Sequence, residues 1–367
     1  MTMALERVVK PHVLDLAPYE PGKPVEELER ELGLSGSIKL ASNESPLGPS
    51  PKAVAALQRA IGGIHRYPDG ANFELRRKLA DRLAVEEEQL VFGAGADEIL
   101  ELLAKVLLGP GDECVFAWPS FAMYPIVARG MGAQAVQVPL DREFVHDLSE
   151  MARALTKRTK LVIVCNPNNP TGTSVGADAF DDFISQLPDG LIVAVDEAYV
   201  DFARRLDFPD AMGWVRRRPG TIVLRTFSKI FGLAGLRIGY GVADAELAGY
   251  LHRARHPFNV NRLAEVAAAA ALDDRDYVER ITRLNVAGVG YLTRELRALG
   301  IEVWPTDANF LLARAGAGVY EQLLGQGVIV RPLVAFGLPD YVRISVGLPE
   351  ENERLVKTLR RLREGEA

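Results

Sequence analysis

The chain has 367 residues, which at roughly 150 residues per domain predicts two or three domains, or one large domain with a smaller lobe. It carries 43 Lys and Arg against 49 Asp and Glu, and the net charge of −6 argues against a nucleic-acid-binding protein, which would need clustered basic residues. Two cysteines exclude a disulfide framework and favour a reducing compartment, and the five histidines have no metal-ligand spacing. With neither a signal-like segment nor a long apolar run, we expect a cytoplasmic protein that contacts neither nucleic acid nor membrane.

The first two thirds of the chain predict an arm followed by a layered α/β unit. Residues 1–50 are rich in proline and glycine around one short helix at 25–32, and helical periodicity follows from 51 to 83. Beyond that point short apolar runs, which predict buried strands, alternate with amphipathic helices; the runs cover 90–92, 113–117, 135–138, 161–165, 191–195, 221–224 and 238–242. This alternation is typical of a doubly wound, mostly parallel sheet covered by helices on both faces.

The last third of the chain predicts a smaller α+β lobe. A long helical stretch runs from residue 261 toward 299, with a break near 273–274. Short apolar runs that alternate with two helices follow it, and they cover 302–303, 310–313, 328–330 and 341–346.

Two candidate binding loops follow predicted strands, at the sheet edge where such folds bind ligands. A glycine turn at residues 92–98 opens a helix whose N-terminal N–H groups suit an anion such as phosphate, although an ordinary turn capped by Asp97 has the same pattern. Residues 165–172 contain three asparagines and two prolines. They predict a rigid turn in which at least one asparagine side chain points at a ligand.

An acid and an amine follow two further strands. Asp196 ends a buried strand, where it could cap a helix, bind a metal or pair with a protonated ring nitrogen. Lys229 lies beside Thr226 and Ser228, with Arg237 eight residues later; alone it would equally be a solvated surface lysine. Together these segments supply an amine for a Schiff base, a phosphate cradle and a carboxylate for a pyridinium nitrogen, which a phosphorylated aldehyde cofactor needs.

The chain resembles the fold type I, class II pyridoxal-phosphate aminotransferases, and among them the histidinol-phosphate aminotransferase family. The matching segments keep the family's order over nearly the whole chain, and they are PYEPGKP (18–24), KLASNESPLGPSP (39–51), RYPDG (66–70), GAGADEIL (93–100), NPNNPTG (166–172), VDEAYVDF (195–202), RTFSKIFGLAGLRIGY (225–240), ANFLLAR (308–314) and VRISVG (342–347). The resemblance implies an α/β fold with a mostly parallel, seven-stranded sheet and a smaller C-terminal lobe. It implies an arm at 1–50 that completes the small lobe, a large domain at 51–255 that binds pyridoxal 5′-phosphate (PLP), and a small domain at 256–367.

The resemblance also implies roles at the cofactor. Lys229 would form the Schiff base and then move a proton, and Asp196 would pair with the pyridinium nitrogen. Asn169 and Tyr199 would contact the phenolic oxygen, and Phe121 would stack on the ring, where tyrosine is common in the family. The residues implied to hold the phosphate are Ala96 and Asp97 through their backbone N–H groups, Thr226, Ser228, Arg237 and, from the neighbouring subunit, Tyr67. The active site is therefore expected to belong to a homodimer.

Four further residues are implied to face the substrate. Arg343 would bind the α-carboxylate of amino-acid substrates, and Arg331 would bind the substrate's anionic end. Tyr19 and Asn43 lie in segments that fold over the site, although a packed aromatic and a turn former explain them equally well. Tyr124, one helical turn after the stacking aromatic, is expected to pack and not to contact a ligand.

The implied activity is transamination between histidinol phosphate, or imidazole acetol phosphate, and 2-oxoglutarate or glutamate in histidine biosynthesis. Guanidinium groups accept either phosphate or carboxylate, which suits this pair of substrates. The same motifs leave open an aromatic amino-acid aminotransferase and a phosphothreonine decarboxylase. A cofactor-sensing regulatory domain would usually be fused to a helix-turn-helix, for which the first 50 residues leave no room.

Overall fold

The protein is described by a computed structural model that covers residues 5–19 and 21–365. Its strands are β1 (Ile38–Leu40), β2 (Leu90–Gly93), β3 (Glu113–Trp118), β4 (Gln134–Pro139), β5 (Thr159–Cys165), β6 (Ile192–Asp196), β7 (Thr221–Thr226), β8 (Gly239–Val242), β9 (Glu302–Val303), β10 (Phe310–Arg314), β11 (Val328–Pro332) and β12 (Tyr341–Ser345). Its α-helices are α1 (Pro11–Leu14), α2 (Val25–Leu32), α3 (Pro51–Ala60), α4 (Phe73–Leu83), α5 (Ala96–Leu107), α6 (Met123–Gly130), α7 (Leu148–Arg153), α8 (Ala177–Ser185), α9 (Ala211–Arg217), α10 (Ala245–Ala254), α11 (Arg262–Ala271), α12 (Arg275–Ala298), α13 (Val319–Gly325) and α14 (Pro349–Glu364).

Seven strands form the large sheet in the order β2-β8-β7-β6-β5-β3-β4. The pairs β4–β3, β3–β5, β5–β6 and β6–β7 are parallel, which confirms the mostly parallel seven-stranded sheet expected from the motifs. Strand β8 is the exception, because it runs antiparallel to both β7 and β2. All four of its residues are buried, as are most residues of β5 and β6, and the sequence pattern did not reveal its direction.

The large sheet is buried on both faces, which is why its strands read as nearly continuous apolar runs. In β5, Val162 and Val164 pack into a core on one face, whereas Leu161 and Ile163 pack into a second core on the other. Successive side chains of a strand point to opposite faces, so the strands contribute to both cores, except β8, which has glycines on one face. The sheet is therefore held rigidly, and the loops that follow its strands start from fixed points.

Five strands form the small sheet in the order β1-β11-β12-β10-β9. Strand β1 pairs parallel with β11, and β12 pairs antiparallel with both β11 and β10. Helices α11 and α12 are separated at 272–274, where the sequence predicts the break. The division into an arm at 1–50 and domains at 51–255 and 256–367 stays a prediction. Within the described residues, no helix is long and apolar enough to cross a membrane.

Candidate active site

One cavity of about 260 Å³ lies between the ends of the large-sheet strands and the small sheet. Tyr67 apart, it is lined by every residue that the motifs single out for the site, namely Tyr19, Asn43, Ala96, Asp97, Phe121, Asn169, Asp196, Tyr199, Thr226, Ser228, Lys229, Arg237, Arg331 and Arg343. Sequence reasoning missed other lining residues, including Ser42, Glu44 and Cys165. All three lie in segments that the sequence analysis singled out, at 39–51 and 165–172, but the motifs did not show that these side chains reach the cavity.

The N-terminus of α5 forms one end of the cavity. Its N-cap, Gly95, has a φ of +89° and offers no side chain to the helix N–H groups of Ala96 and Asp97. A Cβ at Gly95 would lie 2.5 Å from the Nη2 atom of Arg237, so glycine allows the guanidinium to approach. The Asp97 carboxylate lies 3.4 Å from the same guanidinium, and burial raises the pKa of Asp97. Helix N–H groups beside a guanidinium can bind a phosphate group.

The last residue of β6, Asp196, places a buried carboxylate against the cavity. Its Oδ2 accepts a hydrogen bond of 2.7 Å from the Tyr124 hydroxyl, and its Oδ1 accepts one of 3.1 Å from the Ala198 N–H. Burial raises the pKa of Asp196 to about 6, while these two hydrogen bonds oppose the rise. A cation in the cavity would further favour the ionised form, because opposite charge lowers the pKa of a carboxyl group.

Lys229 lies in the loop after β7, and its amine points between the two sheets. The Nζ atom donates a hydrogen bond of 3.2 Å to the Ser42 carbonyl and lies 5.6 Å from the centre of the Tyr199 ring. Burial and then the positive charge of Arg343 lower the pKa of Lys229 to about 8. A substantial fraction of the amine is therefore neutral near pH 7.5 and can act as a nucleophile or a base.

The Tyr199 hydroxyl is linked to the small sheet through Asn43. The Asn43 side-chain amide donates a hydrogen bond of 2.9 Å to Tyr199, and its Oδ1 accepts one of 2.8 Å from the Ser345 hydroxyl at the end of β12. Asn43 has a φ of +54°, a left-handed conformation held by this buried network. Burial also raises the pKa of Tyr199, so the phenol stays protonated at neutral pH. Asn43 thus contacts the cofactor side of the cavity through Tyr199.

Two arginines face each other across β11 and β12. Arg331 and Arg343 are directly opposite in the strand register, an arrangement that is unfavourable for like charges. Arg343 is buried, donates hydrogen bonds to the Asn169 side-chain oxygen and the Ala41 carbonyl, and has an Nε without a partner among the described residues. The Arg331 guanidinium lies 5.7 Å from the centre of the Tyr19 ring. An anion between these arginines would relieve their repulsion.

Two tyrosines are placed differently from the residues that line the cavity. Tyr67 is 83% exposed, stacks on Phe258 at 4.8 Å between ring centres, and lies outside the cavity. Tyr124 is fully buried and packs as expected, but its hydroxyl also binds Asp196, a contact that sequence reasoning missed. Helical spacing predicts which face of α6 carries Tyr124, but it does not identify the strand end opposite.

The donor set fits the expected cofactor, PLP. The uncapped N-terminus of α5 with Arg237 suits its phosphate, the buried carboxylate of Asp196 suits a protonated ring nitrogen, and the Lys229 amine lines the same cavity. Phe121 lines the same cavity and offers an aromatic face. Across residues 5–19 and 21–365, no group of three or more His, Cys, Asp or Glu residues is arranged to hold a metal ion.

Comparisons with known proteins identify the family of the chain. Residues 35–359 match the family model of class I and II aminotransferases. The chain is 49% identical over 354 residues to the histidinol-phosphate aminotransferase of Moorella thermoacetica, covering 95% of this chain and 92% of that protein. It is 47% identical over 357 residues to histidinol-phosphate aminotransferase 2 of Pseudomonas aeruginosa, covering 96% of each.

Comparison with solved structures also finds aminotransferases. The crystal structure of histidinol-phosphate aminotransferase from Sinorhizobium meliloti in complex with PLP matches with a TM-score of 0.88 at 28% identity, covering 96% of this chain and 98% of that one. An aspartate aminotransferase single mutant of Thermus thermophilus matches with a TM-score of 0.83 at 25% identity, covering 97% and 99%. The chain therefore belongs to the class I and II aminotransferases, in the family of the histidinol-phosphate aminotransferases.

Proposed function

We propose that this chain is a PLP-dependent transaminase that moves an amino group between histidinol phosphate, or imidazole acetol phosphate, and 2-oxoglutarate or glutamate in histidine biosynthesis. The observation that carries this proposal is the pair of opposed arginines, Arg331 and Arg343, in one cavity with Lys229. A guanidinium pair accepts the phosphate of one substrate and the carboxylates of the other. Relatives that are 46–49% identical over 95–98% of this chain are known as histidinol-phosphate aminotransferases, which supports the same substrates.

The proposed cofactor contacts follow the cavity from one end to the other. PLP, when bound, supplies the electron-accepting ring through which amino groups are exchanged. The N–H groups of Ala96 and Asp97 and the guanidinium of Arg237 bind its phosphate, and Asp196 pairs with its ring nitrogen. The remaining contacts assigned to the cofactor are those of Thr226 and Ser228 with the phosphate, Phe121 with the ring face, and Asn169 and Tyr199 with the phenolic oxygen.

Lys229 is assigned the proton transfer. Its amine would bind the cofactor aldehyde in the resting enzyme and would be freed when the substrate amine takes its place. The freed Nζ would then carry the proton from the substrate carbon that bears the amino group to the former aldehyde carbon of the cofactor, and would move it back in the reverse half of the cycle. The depressed pKa, about 8, keeps part of this amine neutral and therefore basic near neutral pH. Asp196, ionised by its pairing, stabilises positive charge at the far end of the ring.

The substrate side is assigned to the small sheet. Arg343, already oriented by Asn169 and Ala41, binds the α-carboxylate of glutamate, and Arg331 binds the anionic end of either substrate. The Arg331 guanidinium lies over the ring of Tyr19, which lines the same cavity and is assigned to the substrate. Asn43 lines the same cavity, where it is assigned to the substrate, and its side-chain amide also donates a hydrogen bond to Tyr199.

We also propose that the enzyme is a cytoplasmic homodimer in which Tyr67 reaches the cofactor phosphate of the partner subunit. Tyr67 stacks on Phe258 and shares an exposed groove with Ile64, and the nearby segments expose Ile61 and Phe73 as well. The side chain lies outside the cavity of its own chain, so a contact with the cofactor requires a second copy. The size of the particle in solution, measured by light scattering, tests this assignment.

Half-reaction spectroscopy tests the substrate assignment. The PLP-loaded enzyme is mixed with histidinol phosphate, phenylalanine or phosphothreonine, and loss of the cofactor's visible absorbance is followed in time. We expect the fastest loss with histidinol phosphate. Equal or faster loss with phenylalanine would make the enzyme an aromatic aminotransferase. Release of CO2 from phosphothreonine would instead match the phosphothreonine decarboxylase of Porphyromonas gingivalis, whose structure matches this chain with a TM-score of 0.78.

A further inference from the structure

We propose that Tyr124 is a positioning residue for the reaction, whose hydroxyl holds the Asp196 carboxylate ionised and turned toward the cavity. The distance between the Tyr124 hydroxyl and Asp196 Oδ2 is 2.7 Å, and both side chains are buried. This inference rests on the proposed function, in which Asp196 pairs with the ring nitrogen of PLP. It adds a residue that does not line the cavity and acts only through Asp196.

The packing around Tyr124 fixes the direction of its hydroxyl. The ring lies edge-on to Phe116 of β3 at 5.8 Å and to Phe121 at 5.7 Å between ring centres. The side chain is 0% exposed, and helix α6 anchors its backbone. Because neighbouring rings confine the side chain, little rotational freedom is lost when the hydrogen bond forms. The hydroxyl is therefore preorganised toward the end of β6.

Asp196 depends on this one side chain for a hydrogen bond. Within the part of the chain that the structure describes, the other bond to its carboxylate comes from the backbone N–H of Ala198, at 3.1 Å. The charged or titratable groups that face it are the Cys165 thiol at the end of β5, Asp97 of α5, Tyr199 after β6 and Lys229 after β7. Asp97 raises the pKa of Asp196 and Lys229 lowers it, whereas burial raises it most.

Removal of the Tyr124 hydroxyl should therefore protonate Asp196 at neutral pH. A hydrogen bond donated to a carboxylate stabilises the charged form and lowers the pKa. With that donor present the pKa of Asp196 is already about 6, so a further rise brings it close to the pH at which the enzyme works. A neutral carboxyl group no longer neutralises a protonated ring nitrogen, and the bound cofactor loses that partner.

The direct test measures the Asp196 carboxyl group in the cofactor-free chain. Tyr124→Phe is compared with the wild type and with Tyr277→Phe, a control that removes a buried hydroxyl bonded to Ser45 and Gly48. Aspartate is labelled with ¹³C at the carboxyl carbon, and Asp196→Asn assigns the resonance. We expect the midpoint of the Asp196 titration to rise by about one to two pH units in Tyr124→Phe and to stay unchanged in Tyr277→Phe. An unchanged midpoint in Tyr124→Phe would overturn the inference.

A double-mutant cycle on PLP affinity separates positioning from a general packing defect. Tyr124→Phe should weaken PLP binding by about tenfold in the wild-type background, but by less than about twofold in the Asp196→Asn background. Equal weakening in both backgrounds would mean that the hydroxyl acts only through the fold. A wild-type chain that binds PLP without exchanging amino groups would refute the proposed function, while the carboxyl titration would still decide the role of Tyr124.

Discussion

The two halves of the cavity are built by different sheets and differ in how their charges are balanced. On the large-sheet side, Asp196 accepts two hydrogen bonds and the Lys229 amine donates to a backbone carbonyl. On the small-sheet side, Arg331 and Arg343 lie opposite each other with like charge. The first half combines an acid with an amine, whereas the second places two guanidinium groups beside each other.

From this difference we propose that the large-sheet half of the cavity determines the reaction type and that the small-sheet half determines the choice of substrate. The carboxyl ends of the buried parallel strands β6 and β7 fix the amine and the acid, and these groups serve any amino-group exchange. The antiparallel register of β11 and β12 fixes the two arginines, which we propose select substrates by their negative groups. We therefore expect substitutions in the first half to reduce activity with every substrate, and substitutions in the second half to change preference between substrates.

The largest effect is expected from Lys229→Ala. Loss of the amine removes the base for the proton transfer, and kcat should fall by at least about 10³-fold with every substrate, because positioned proton transfer contributes about 10²–10⁴-fold. Steady-state kinetics with two amino donors measures this fall. Lys357→Ala, which removes an exposed lysine of α14, is the matched control and should keep full activity. A fall in activity with only one of the two amino donors would contradict the proposal that the large-sheet half of the cavity serves every substrate.

The next largest effect is expected from Asp196→Asn, which should lower kcat by about 10²-fold through the lost charge at the ring nitrogen. The same change should stabilise the cofactor-free chain. Because burial raises the pKa of Asp196 from 3.8 to about 6, this carboxyl group favours folding below about pH 4 and loses that contribution as pH rises through 6. Asparagine does not ionise, so the variant should be more stable at pH 7.5 by about 2–3 kcal/mol.

Urea unfolding of the cofactor-free wild type and variant at pH 5 and pH 7.5 measures this contrast. The stability difference should be larger at the higher pH. A stability difference that does not change with pH would show that ionisation of Asp196 does not destabilise the folded chain. The buried charge on the large-sheet side would then carry no cost in stability.

The smallest effect is expected from Tyr67→Phe, a residue that belongs to neither sheet. If its hydroxyl binds the phosphate in the partner subunit, the variant should release PLP about three- to tenfold faster, as expected for the loss of one hydrogen bond. Stopped-flow or dialysis measurements of PLP release test this, with the exposed Tyr250→Phe as control. Equal release rates in both variants would confine the cofactor site to one chain.

Most of the fold could be predicted because buried strands can be recognised in the sequence as apolar runs. Parallel strands covered on both faces need apolar side chains at every position, and the runs at 161–165 and 191–195 match β5 and β6 closely. Strand direction cannot be recognised in this way, so the antiparallel course of β8 was not foreseen. The pairing of β1 with β11 could not be predicted either, because the two strands are almost 290 residues apart in the sequence and meet only in the folded chain.

The motifs at strand ends also allowed the candidate site to be predicted, because local turns determine the positions of Asp196 and Lys229. The partners of these residues were not predictable in the same way. Tyr124 is 72 positions from Asp196, and Asn43 is 156 positions from Tyr199. Neither hydrogen bond has a local sequence pattern, since each depends on how separate elements pack.

The most direct test of the two-half cavity compares histidinol phosphate with histidinol, which lacks the phosphate. The rate at which each substrate discharges the cofactor's visible absorbance is measured for the wild type, for the Arg331→Gln, Arg343→Gln double variant, and for Arg314→Gln, an exposed control on the same sheet. We predict that the wild type and the control strongly prefer the phosphorylated substrate, and that the double variant loses this preference by about 10²-fold. An unchanged preference in the double variant would contradict the assignment of substrate choice to the small sheet.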